Sequence, residues 1–360
     1  MLDGVRVLDL TRVLAGPLST MMLGDLGANV IKVERPGSGD ETRGWGPPFD
    51  ERGESAYYLS VNRNKKSLLA DLDAPADRDL LRSLIGGARV VVDNFRPGTL
   101  ERRGLDPVSF LTQEPSLIWC TITGFGPDST RLGYDFVVQA ERGWMAITGE
   151  ERGGPMKSGV ALADILAGKD ATIAILAALA APALPPNRRR LFISLADSAT
   201  AALINVAQNV LVSGLEASRY GNAHPNLVPY QLFDAADRPL VVAVGTDAQW
   251  RACSEALGLS DLAEDPALAT NAGRLAARAR IVARIQARLR EQPAAHWMEV
   301  LSQAGVPSGV VNTVKEALAE TDASPLYGVP PSVPGAIRLP PPTLGEHDRE
   351  IRERGWGAFG

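Results

Sequence analysis

One carboxylate, Asp164, stands among small and apolar neighbours. Gly159-Val160-Ala161-Leu162-Ala163 precede it, and Ile165-Leu166-Ala167-Gly168 follow it. Burying a lone carboxylate as an ion is costly, so such a group is usually paired, caps a helix or is reactive. The local pattern favours an N-cap for a helix that runs through Leu179 and is closed by Pro182. Chemistry stays open as well, because carboxylates also act as covalent nucleophiles.

Length and composition limit the class of protein. The chain has 360 residues, 45% of them hydrophobic, which is enough for a sizeable core and predicts two domains. A net charge of -5 argues against nucleic acid as a partner. Cys120 and Cys253 are isolated, which predicts neither a disulfide framework nor a metal site and suits a reducing cytoplasm.

Targeting signals do not stand out in the sequence. The first ten residues lack the pattern of a signal peptide. The longest apolar run, Ala171–Ala181, is shorter than the ~20 residues of a membrane helix and is interpreted as a buried helix. We therefore expect a cytoplasmic protein without a membrane span.

Hydrophobic patterns predict an α/β, doubly wound N-terminal part. A strand at Val5–Leu10, a helix at Pro17–Gly27 and a strand at Val30–Val33 form a βαβ unit with a parallel sheet. Further strands are predicted at Arg89–Val92, Leu117–Ile122, Leu191–Leu195 and Leu240–Val244. Further helices are predicted at Arg78–Ile85, Ala199–Val212 (long and mostly buried), Asp247–Leu257, Arg274–Arg290 and Ala294–Ala304. The basic stripe Arg280, Arg284 and Arg288 indicates polyanion binding or, as the negative net charge favours, a solvated face.

A dinucleotide-binding dehydrogenase is the first alternative for such a βαβ unit. Glu34, at the end of the second strand, has the position of a ribose ligand. The loop after the first strand contains only Gly16, whereas the fingerprint needs three glycines to approach the pyrophosphate. The loop disfavours this alternative.

Ten stretches in family order resemble the family III CoA-transferases, which include formyl-CoA and carnitine CoA-transferases. They are Leu8–Pro17, Gly24–Pro48, Tyr57–Leu68, Val92–Leu105, Ile122–Pro127, Gly133–Asp135, Lys157–Asp164, Gly221–Gln231, Ala304–Gly309 and Pro341–His347. Nearly the whole chain is covered. The pattern is most similar to members that move CoA from succinyl-CoA to a dicarboxylate such as glutarate.

The resemblance implies a role for individual residues. Asp164 would be the nucleophile, forming an anhydride and then an aspartyl-CoA thioester. CoA contacts are implied at Val13, Ala15, Arg35, Asn94 and Arg102, where the two arginines suit the phosphates of CoA. Tyr134 and His224 are implied in the substrate pocket; the alternatives are a core aromatic and a structural histidine. No permanent cofactor and no metal are expected, and acyl-CoA and a carboxylic acid are the implied substrates.

Two other functions remain open. The family also contains α-methylacyl-CoA racemases, which need a histidine and an aspartate as acid and base. At the position of that histidine this chain has Tyr134, before Asp135. A phenol with a pKa near ~10 is a poor substitute for an imidazole with a pKa near ~6.5. The second alternative function is a module that binds CoA without catalysis. Leu14 stands where formyl-CoA transferase has glutamine, so the oxyanion donor is unassigned. The glycine-rich lid of that enzyme corresponds to 221–225, which has one glycine and disfavours formyl and oxalyl substrates.

The resemblance also implies the architecture. We expect a large Rossmann-like domain at residues 1–212, completed by 325–360, and a smaller α/β domain at 213–304. Residues 305–324 would be the linker that returns to the large domain. Two protomers are expected to interlock as a homodimer whose monomer need not be stable alone.

Overall fold

The computed structural model describes residues 1–181 and 183–360 and divides into two compact units. The larger unit consists of Met1–Met145, Lys157–Leu215 and Leu318–Gly360, and the smaller one of Ala146–Met156 and Glu216–Ala317. Residues 146–156, which the sequence assigned to the large domain, belong to the smaller unit. Arg219 ties them there, because its guanidinium donates hydrogen bonds to the carbonyls of Ala146 and Gly153 at 3.1 and 2.8 Å.

The described residues form nine strands and seventeen α-helices. The strands are β1 Arg6–Leu10, β2 Asn29–Glu34, β3 Lys65–Leu69, β4 Val90–Asp93, β5 Ile118–Thr123, β6 Arg190–Ser194, β7 Tyr230–Asp234, β8 Pro239–Ala243 and β9 Ser308–Val310. The first ten helices are α1 Ala15–Asp25, α2 Ala56–Leu59, α3 Pro75–Gly86, α4 Pro107–Gln113, α5 Asp135–Glu141, α6 Trp144–Ile147, α7 Leu162–Ala180, α8 Pro186–Arg189, α9 Leu195–Ala201 and α10 Ile204–Ser213. The others are α11 Asp247–Ala256, α12 Ser260–Ala263, α13 Asn271–Ala276, α14 Arg278–Leu289, α15 Ala294–Gln303, α16 Val314–Ala319 and α17 Asp348–Arg354.

A six-stranded parallel sheet, in the order β3-β2-β1-β4-β5-β6, organises the larger unit. The predicted α/β fold with a parallel sheet is confirmed. From β1 the strand order runs outward in both directions, with β2 on one side and β4 on the other. Loops that leave the carboxyl ends of these two strands diverge and open a crevice, where parallel α/β sheets bind their ligands.

Successive side chains of each strand point to opposite faces of the sheet and pack into two hydrophobic cores, one on each face. In β4, Val90 and Val92 pack on one face with α1, α7 and α9, whereas Val91 packs on the other with α3, α4 and α17. Strands that are apolar on both faces are typical of a parallel sheet covered by helices on both sides. This explains why their sequences are continuous apolar runs.

Helix α7 crosses one face of the sheet and packs against α1. Its buried stripe consists of Gly168, Thr172, Ile175 and four alanines at helical spacing. A Cβ added at Gly168 would lie 2.6 Å from the carbonyl oxygen of Ala15, so only glycine allows the helices to approach this closely. The opposite face of α7 is open, with Ile173 64% exposed, so the helix that was expected to be buried is buried on one side only. Pro182, expected to close this helix, lies outside the described residues.

The predicted helix Ala199–Val212 is two helices, α9 and α10, that meet at an angle of 69°. Ile204 at the break has a φ of 39°, which a β-branched residue adopts only under strain. No residue of α10 is buried, contrary to the expectation, and Leu211 and Val212 are 77% and 78% exposed. Among the described residues, no single helix is long and apolar enough to span a membrane, although this bent pair together meets that test by length and composition.

The smaller unit has its own sheet and core. Strands β7, β8 and β9 form an antiparallel sheet, so part of the expected linker 305–324 is a strand. Helices α11, α14 and α15 bury Trp250, Ile285 and Trp297 against it. The arginines of the basic stripe each pair with an acid, namely Arg280 with Asp265, Arg284 with Asp261 and Arg288 with Glu291. These pairs support the interpretation as a solvated face.

Candidate active site

A cleft opens at the carboxyl edge of the large sheet, at the crevice between the loops that follow β1 and β4. Loops after β1, β4 and β5 line it together with the first turn of α7. Five residues that the sequence assigned to catalysis or binding lie in this one cleft: Val13, Ala15, Asn94, Tyr134 and Asp164. Tyr134 is 52% exposed, so it is not a core aromatic.

Asp164 is the third residue of α7 and does not cap the helix. The helix begins at Leu162, and the cap comes from Asp135 of α5. Oδ1 of Asp135 accepts hydrogen bonds from the backbone N–H groups of Ala163, at 2.8 Å, and Asp164, at 3.4 Å. Its Oδ2 accepts one from Gln139 Nε2 at 2.7 Å. Because a distant segment supplies the cap, the carboxylate of Asp164 is left available to the cleft.

The environment of Asp164 favours its neutral form. The residue is half-buried, and within the described part of the chain no donor makes a hydrogen bond to its carboxylate. Burial raises the pKa of Asp164 to about 7, and the negative charge of Asp135 adds to the rise. A carboxylate of this basicity is a better nucleophile than an ordinary one while a large fraction is still ionised near neutral pH.

This raised pKa predicts that Asp164 destabilises the fold above acidic pH. An unfolded chain would ionise Asp164 near 3.8, whereas the folded protein keeps the proton up to about 7. The free energy of unfolding that Asp164 costs therefore grows as the pH rises from 3.8 to about 7. Above that pH the cost is constant, at about 2–4 kcal/mol. We expect Asp164→Asn to be more stable than the wild type by this amount in urea unfolding at about pH 8, and equal to it near pH 3.8. A stability difference independent of pH would contradict the assignment.

Asn94 holds the loop that follows β1. Its side-chain oxygen accepts a hydrogen bond from the N–H of Arg12 at 3.1 Å, and its amide donates to the carbonyl of Arg12 at 2.8 Å. This two-way bond fixes the backbone immediately before Val13 and Ala15. Asn94 therefore acts on the loop as well as lining the cleft.

Arg35 and Arg102, the predicted phosphate ligands, do not lie in the cleft of Asp164. Arg35 is exposed and lines a second cleft, which shares Arg12, Glu41 and Phe95 with the first. Arg12 and Glu41 form an ion pair at 3.2 Å where the two clefts adjoin. Arg102 is exposed beside Gly98, in the turn after β4. Both arginines thus face solvent, Arg35 in the second cleft and Arg102 in neither of the two clefts.

His224 belongs to the smaller unit and has partners there. Its Nδ1 accepts the N–H of Asn226 at 3.0 Å, and its ring packs against Tyr230 with centroids 5.1 Å apart. Burial lowers the pKa of His224, and the positive charge of Arg278 lowers it further. The imidazole is therefore neutral near pH 7, with its proton on Nε2. These contacts support a structural histidine, and its place in a substrate pocket stays a prediction.

Tyr57 is close enough to Asp164 and Asp135 for their charges to act on it, and it is not among the site residues predicted from the sequence. Burial, together with the negative charges of Asp164 and Asp135, raises the pKa of Tyr57 to about 12, so the phenol keeps its proton near these carboxylates. Trp45 packs edge-on against it, with ring centroids 5.0 Å apart. The available signal was its place in the stretch Tyr57–Leu68.

The candidate ribose ligand of a dehydrogenase, Glu34, is occupied within the protein. The guanidinium of Arg43 donates hydrogen bonds to both carboxylate oxygens of Glu34, at 2.8 and 2.7 Å, and Glu34 is buried. Its Oε1 also accepts the N–H of Asp40 at 3.1 Å and its Oε2 the hydroxyl of Ser67 at 2.7 Å, so both oxygens are engaged within the protein. Across residues 1–181 and 183–360, no group of three or more His, Cys, Asp or Glu side chains is placed to hold a metal.

A protein-family model described as CoA-transferase family III matches residues 2–348. The chain belongs to this family. The family predicted from the sequence motifs is thereby confirmed.

Two relatives of this family III chain carry names that pair succinyl-CoA or succinate with glutarate. The succinyl-CoA:glutarate CoA-transferase of Mus musculus is 42% identical over 97% of this chain and 85% of its own. The succinate–glutarate CoA-transferase of Agrobacterium fabrum is 39% identical over 97% and 94%. A crystal structure of a CaiB/BaiF family protein from Brucella suis superposes with a TM-score of 0.83, at 39% identity and 98% coverage of both chains.

Proposed function

We propose that this protein transfers CoA from succinyl-CoA, or a similar donor, to a dicarboxylic acid, with Asp164 as the covalent nucleophile. The observation that carries the proposal is the half-buried Asp164 carboxylate, which lies in a cleft and accepts no hydrogen bond from the described residues. Its pKa of about 7, raised by burial, supports a reactive role. The names of the relatives in Mus musculus and Agrobacterium fabrum support the substrate class.

The chemistry follows from the properties of a carboxylate. Asp164 attacks the thioester carbonyl of the donor, which breaks the C–S bond and gives a mixed anhydride and CoA thiolate. The thiolate attacks the aspartyl carbonyl, releases succinate and leaves an aspartyl-CoA thioester. The acceptor carboxylate then attacks the aspartyl carbonyl of this thioester, which expels CoA thiolate and forms a second mixed anhydride. The thiolate attacks the acceptor's carbonyl in that anhydride, which gives the new acyl-CoA and releases Asp164. Each acyl derivative of Asp164 stays activated, so CoA is passed on and the carboxylate is regenerated.

Binding roles are proposed for the residues that the family pattern matches. Val13, Ala15 and Asn94, in the cleft of Asp164, would contact the pantetheine end of acyl-CoA, and Arg35 and Arg102 its phosphates. Tyr134 and His224 would face the acyl group. CoA is a substrate here, and we propose no permanently bound cofactor.

A transfer assay tests this proposal against both alternatives. The protein is incubated with succinyl-CoA and a panel of acids containing glutarate, oxalate and formate, and acyl-CoA products are separated by chromatography. We expect a glutaryl-CoA product and none from formate. A racemase would instead exchange the α-hydrogen of a 2-methylacyl-CoA with deuterated water in the absence of an acceptor, and a pure binding module would yield neither product. Either result would contradict the proposal.

The activity is expected to depend on the ionisation of Asp164. Because the nucleophile must be ionised, kcat/KM should fall as the pH drops through about 7 and be level above it. Asp135→Asn retains an oxygen that can cap α7 but removes a negative charge, so the fall should move to lower pH. The measurement is the pH profile of kcat/KM for both proteins. A profile that is flat around pH 7, or one that Asp135→Asn leaves in place, would refute the role.

We further propose a Rossmann-like large domain, an interlocked homodimer and a cytoplasmic setting. The strand order β3-β2-β1-β4-β5-β6 supports the first. Exposed apolar side chains on α7 and α10 support the second, since contiguous apolar patches mark association surfaces. Two buried free cysteines, Cys120 and Cys253, suit a reducing compartment.

A charge on α10 should weaken the dimer. Leu211 is 77% exposed, and Leu211→Glu would bury an unpaired carboxylate in a symmetric interface. In sedimentation velocity at micromolar concentration, we expect the wild type to be a dimer and the variant to be a monomer or to dissociate. Val314→Glu, at an equally exposed valine of α16, is the matched control and should stay dimeric. An unchanged sedimentation coefficient for Leu211→Glu would exclude α10 from the interface.

A further inference from the structure

A buried ion pair lies directly beneath the loop that carries Val13. Lys32, on β2, is wholly buried, and its ammonium donates to Asp40 Oδ2 and to the carbonyl of Thr11, each at 3.0 Å. The Asp40 carboxylate is also wholly shielded from solvent. Burial alone would raise the pKa of Asp40, but the charge of Lys32 and the hydrogen bonds from Thr42 hold it below its ordinary value. Asp40 is therefore an anion inside the protein.

The same carboxylate joins two loops. Both of its oxygens are 3.3 Å from the N–H of Val13, in the loop after β1. Oδ1 also accepts hydrogen bonds from the backbone N–H and the hydroxyl of Thr42, at 3.0 and 2.8 Å, in the loop after β2. The loop after β1 lines the cleft of Asp164, and the segment that carries the buried Asp40 lines the second cleft. One side chain thus connects the walls of both clefts.

The backbone that Asp40 holds is strained. Val13 has a φ of 72°, in the left-handed region, where a β-branched side chain is a rare outlier. Such a conformation persists only where its surroundings enforce it, and it is characteristic of ligand-binding segments. The enforcing contacts here are the bond from Val13 to Asp40 and the two-way bond between Arg12 and Asn94.

Stability alone does not explain a buried pair at this place. Replacing a buried ion pair with apolar groups is often neutral or stabilising, because the cost of desolvation cancels much of the attraction. We infer that Asp40 and Lys32 are positioning residues, which lock the strained loop at Val13 in the form that receives acyl-CoA. This inference rests on the proposed function, because it is that function which assigns Val13 and Ala15 to the acyl-CoA substrate.

The test compares two buried carboxylates of the larger unit. Asp40→Asn weakens the hold on the loop, while the control Asp25→Asn disrupts the buried pair of Asp25 with Arg63, 2.7 Å apart, which contacts neither cleft. We expect Asp40→Asn to raise the KM for succinyl-CoA about 10- to 100-fold and to leave the KM for glutarate within about twofold. Asp25→Asn should leave both KM values unchanged, even if it lowers the melting temperature as much. Equal KM values for succinyl-CoA in Asp40→Asn and the wild type would overturn the inference.

Two further measurements keep the outcome decisive. Hydrogen exchange of the peptide that contains Val13 should be faster in Asp40→Asn than in both the wild type and Asp25→Asn, and unchanged exchange would contradict a positioning role. If Asp40→Asn fails to fold, Thr42→Val leaves the ion pair intact and removes only the hydroxyl bond to Asp40 Oδ1, so it should raise the KM for succinyl-CoA in the same direction, and an unchanged KM would overturn the inference. A wild type that transfers no CoA would refute the proposed function, while the exchange experiment would still decide whether Asp40 holds the loop.

Discussion

Asp164→Asn is expected to abolish CoA transfer, with kcat lower by roughly 10⁴-fold or more, because the proposed acyl intermediates form on this carboxylate. The side chain is half-buried in the first turn of α7, and its backbone N–H is held by Asp135, so an amide of the same shape fits without rearrangement. Asp164→Ala should give the same loss. The measurement is single-turnover formation of glutaryl-CoA from succinyl-CoA and glutarate.

A second aspartate of the same helix is the matched control. Asp170 accepts a hydrogen bond from the hydroxyl of Ser198 at 2.6 Å and lies outside the cleft. Asp170→Asn should keep kcat within a few-fold of the wild type, since substitutions away from the reacting atoms cost little activity. Transfer by Asp164→Asn at a near-normal rate, or a loss as large in Asp170→Asn, would refute the nucleophile assignment.

Lys65→Met is expected to lower the free energy of unfolding by roughly 3–5 kcal/mol, the second large effect. The ammonium of Lys65 is wholly buried and donates to Asp9 at 3.0 Å and to the carbonyl of Pro17 at 2.8 Å. Burial alone would raise the pKa of Asp9, but the charges of Lys65 and Lys32 lower it to about 2. Removing one cation leaves the anion with fewer partners in a medium that solvates it poorly.

The neighbouring lysine provides the control for this prediction. Lys66 points to the other face of β3, where it pairs with Glu350 at 2.7 Å, and both side chains are partly exposed. Lys66→Met should therefore cost about 1 kcal/mol or less. Urea unfolding followed by circular dichroism measures both variants. Equal losses for Lys65→Met and Lys66→Met would contradict the importance of the buried pair.

Strands that are apolar on both faces were predictable from the sequence. Val5–Leu10 and Leu117–Ile122 match the observed β1 and β5 within one residue, because a continuous apolar run satisfies helices on both sides of a sheet. Strand β3 was not predicted. It begins with Lys65 and Lys66, and only a distant acid such as Asp9 makes a buried lysine tolerable there.

The features of the site that were not predicted from the sequence depend on contacts between distant parts of the chain. Asp164 resembled an N-cap because its local neighbours begin a helix, but Asp135, 29 residues earlier, fills that role. The exposed face of α10 could not be foreseen either, because an apolar helix pattern does not distinguish a core from an association surface. The family motifs, in contrast, did identify Val13, Asn94 and Tyr134 as neighbours of Asp164 in one cleft.

Mass spectrometry of the acylated enzyme tests the central claim most directly. The protein is mixed with succinyl-CoA without an acceptor, quenched in acid and digested. We predict that the peptide containing Asp164 gains the mass of CoA less one water, and that neither Asp164→Asn nor a sample without succinyl-CoA shows this gain. An unmodified Asp164 peptide in wild-type protein that still transfers CoA, or the same mass on another residue, would contradict the account.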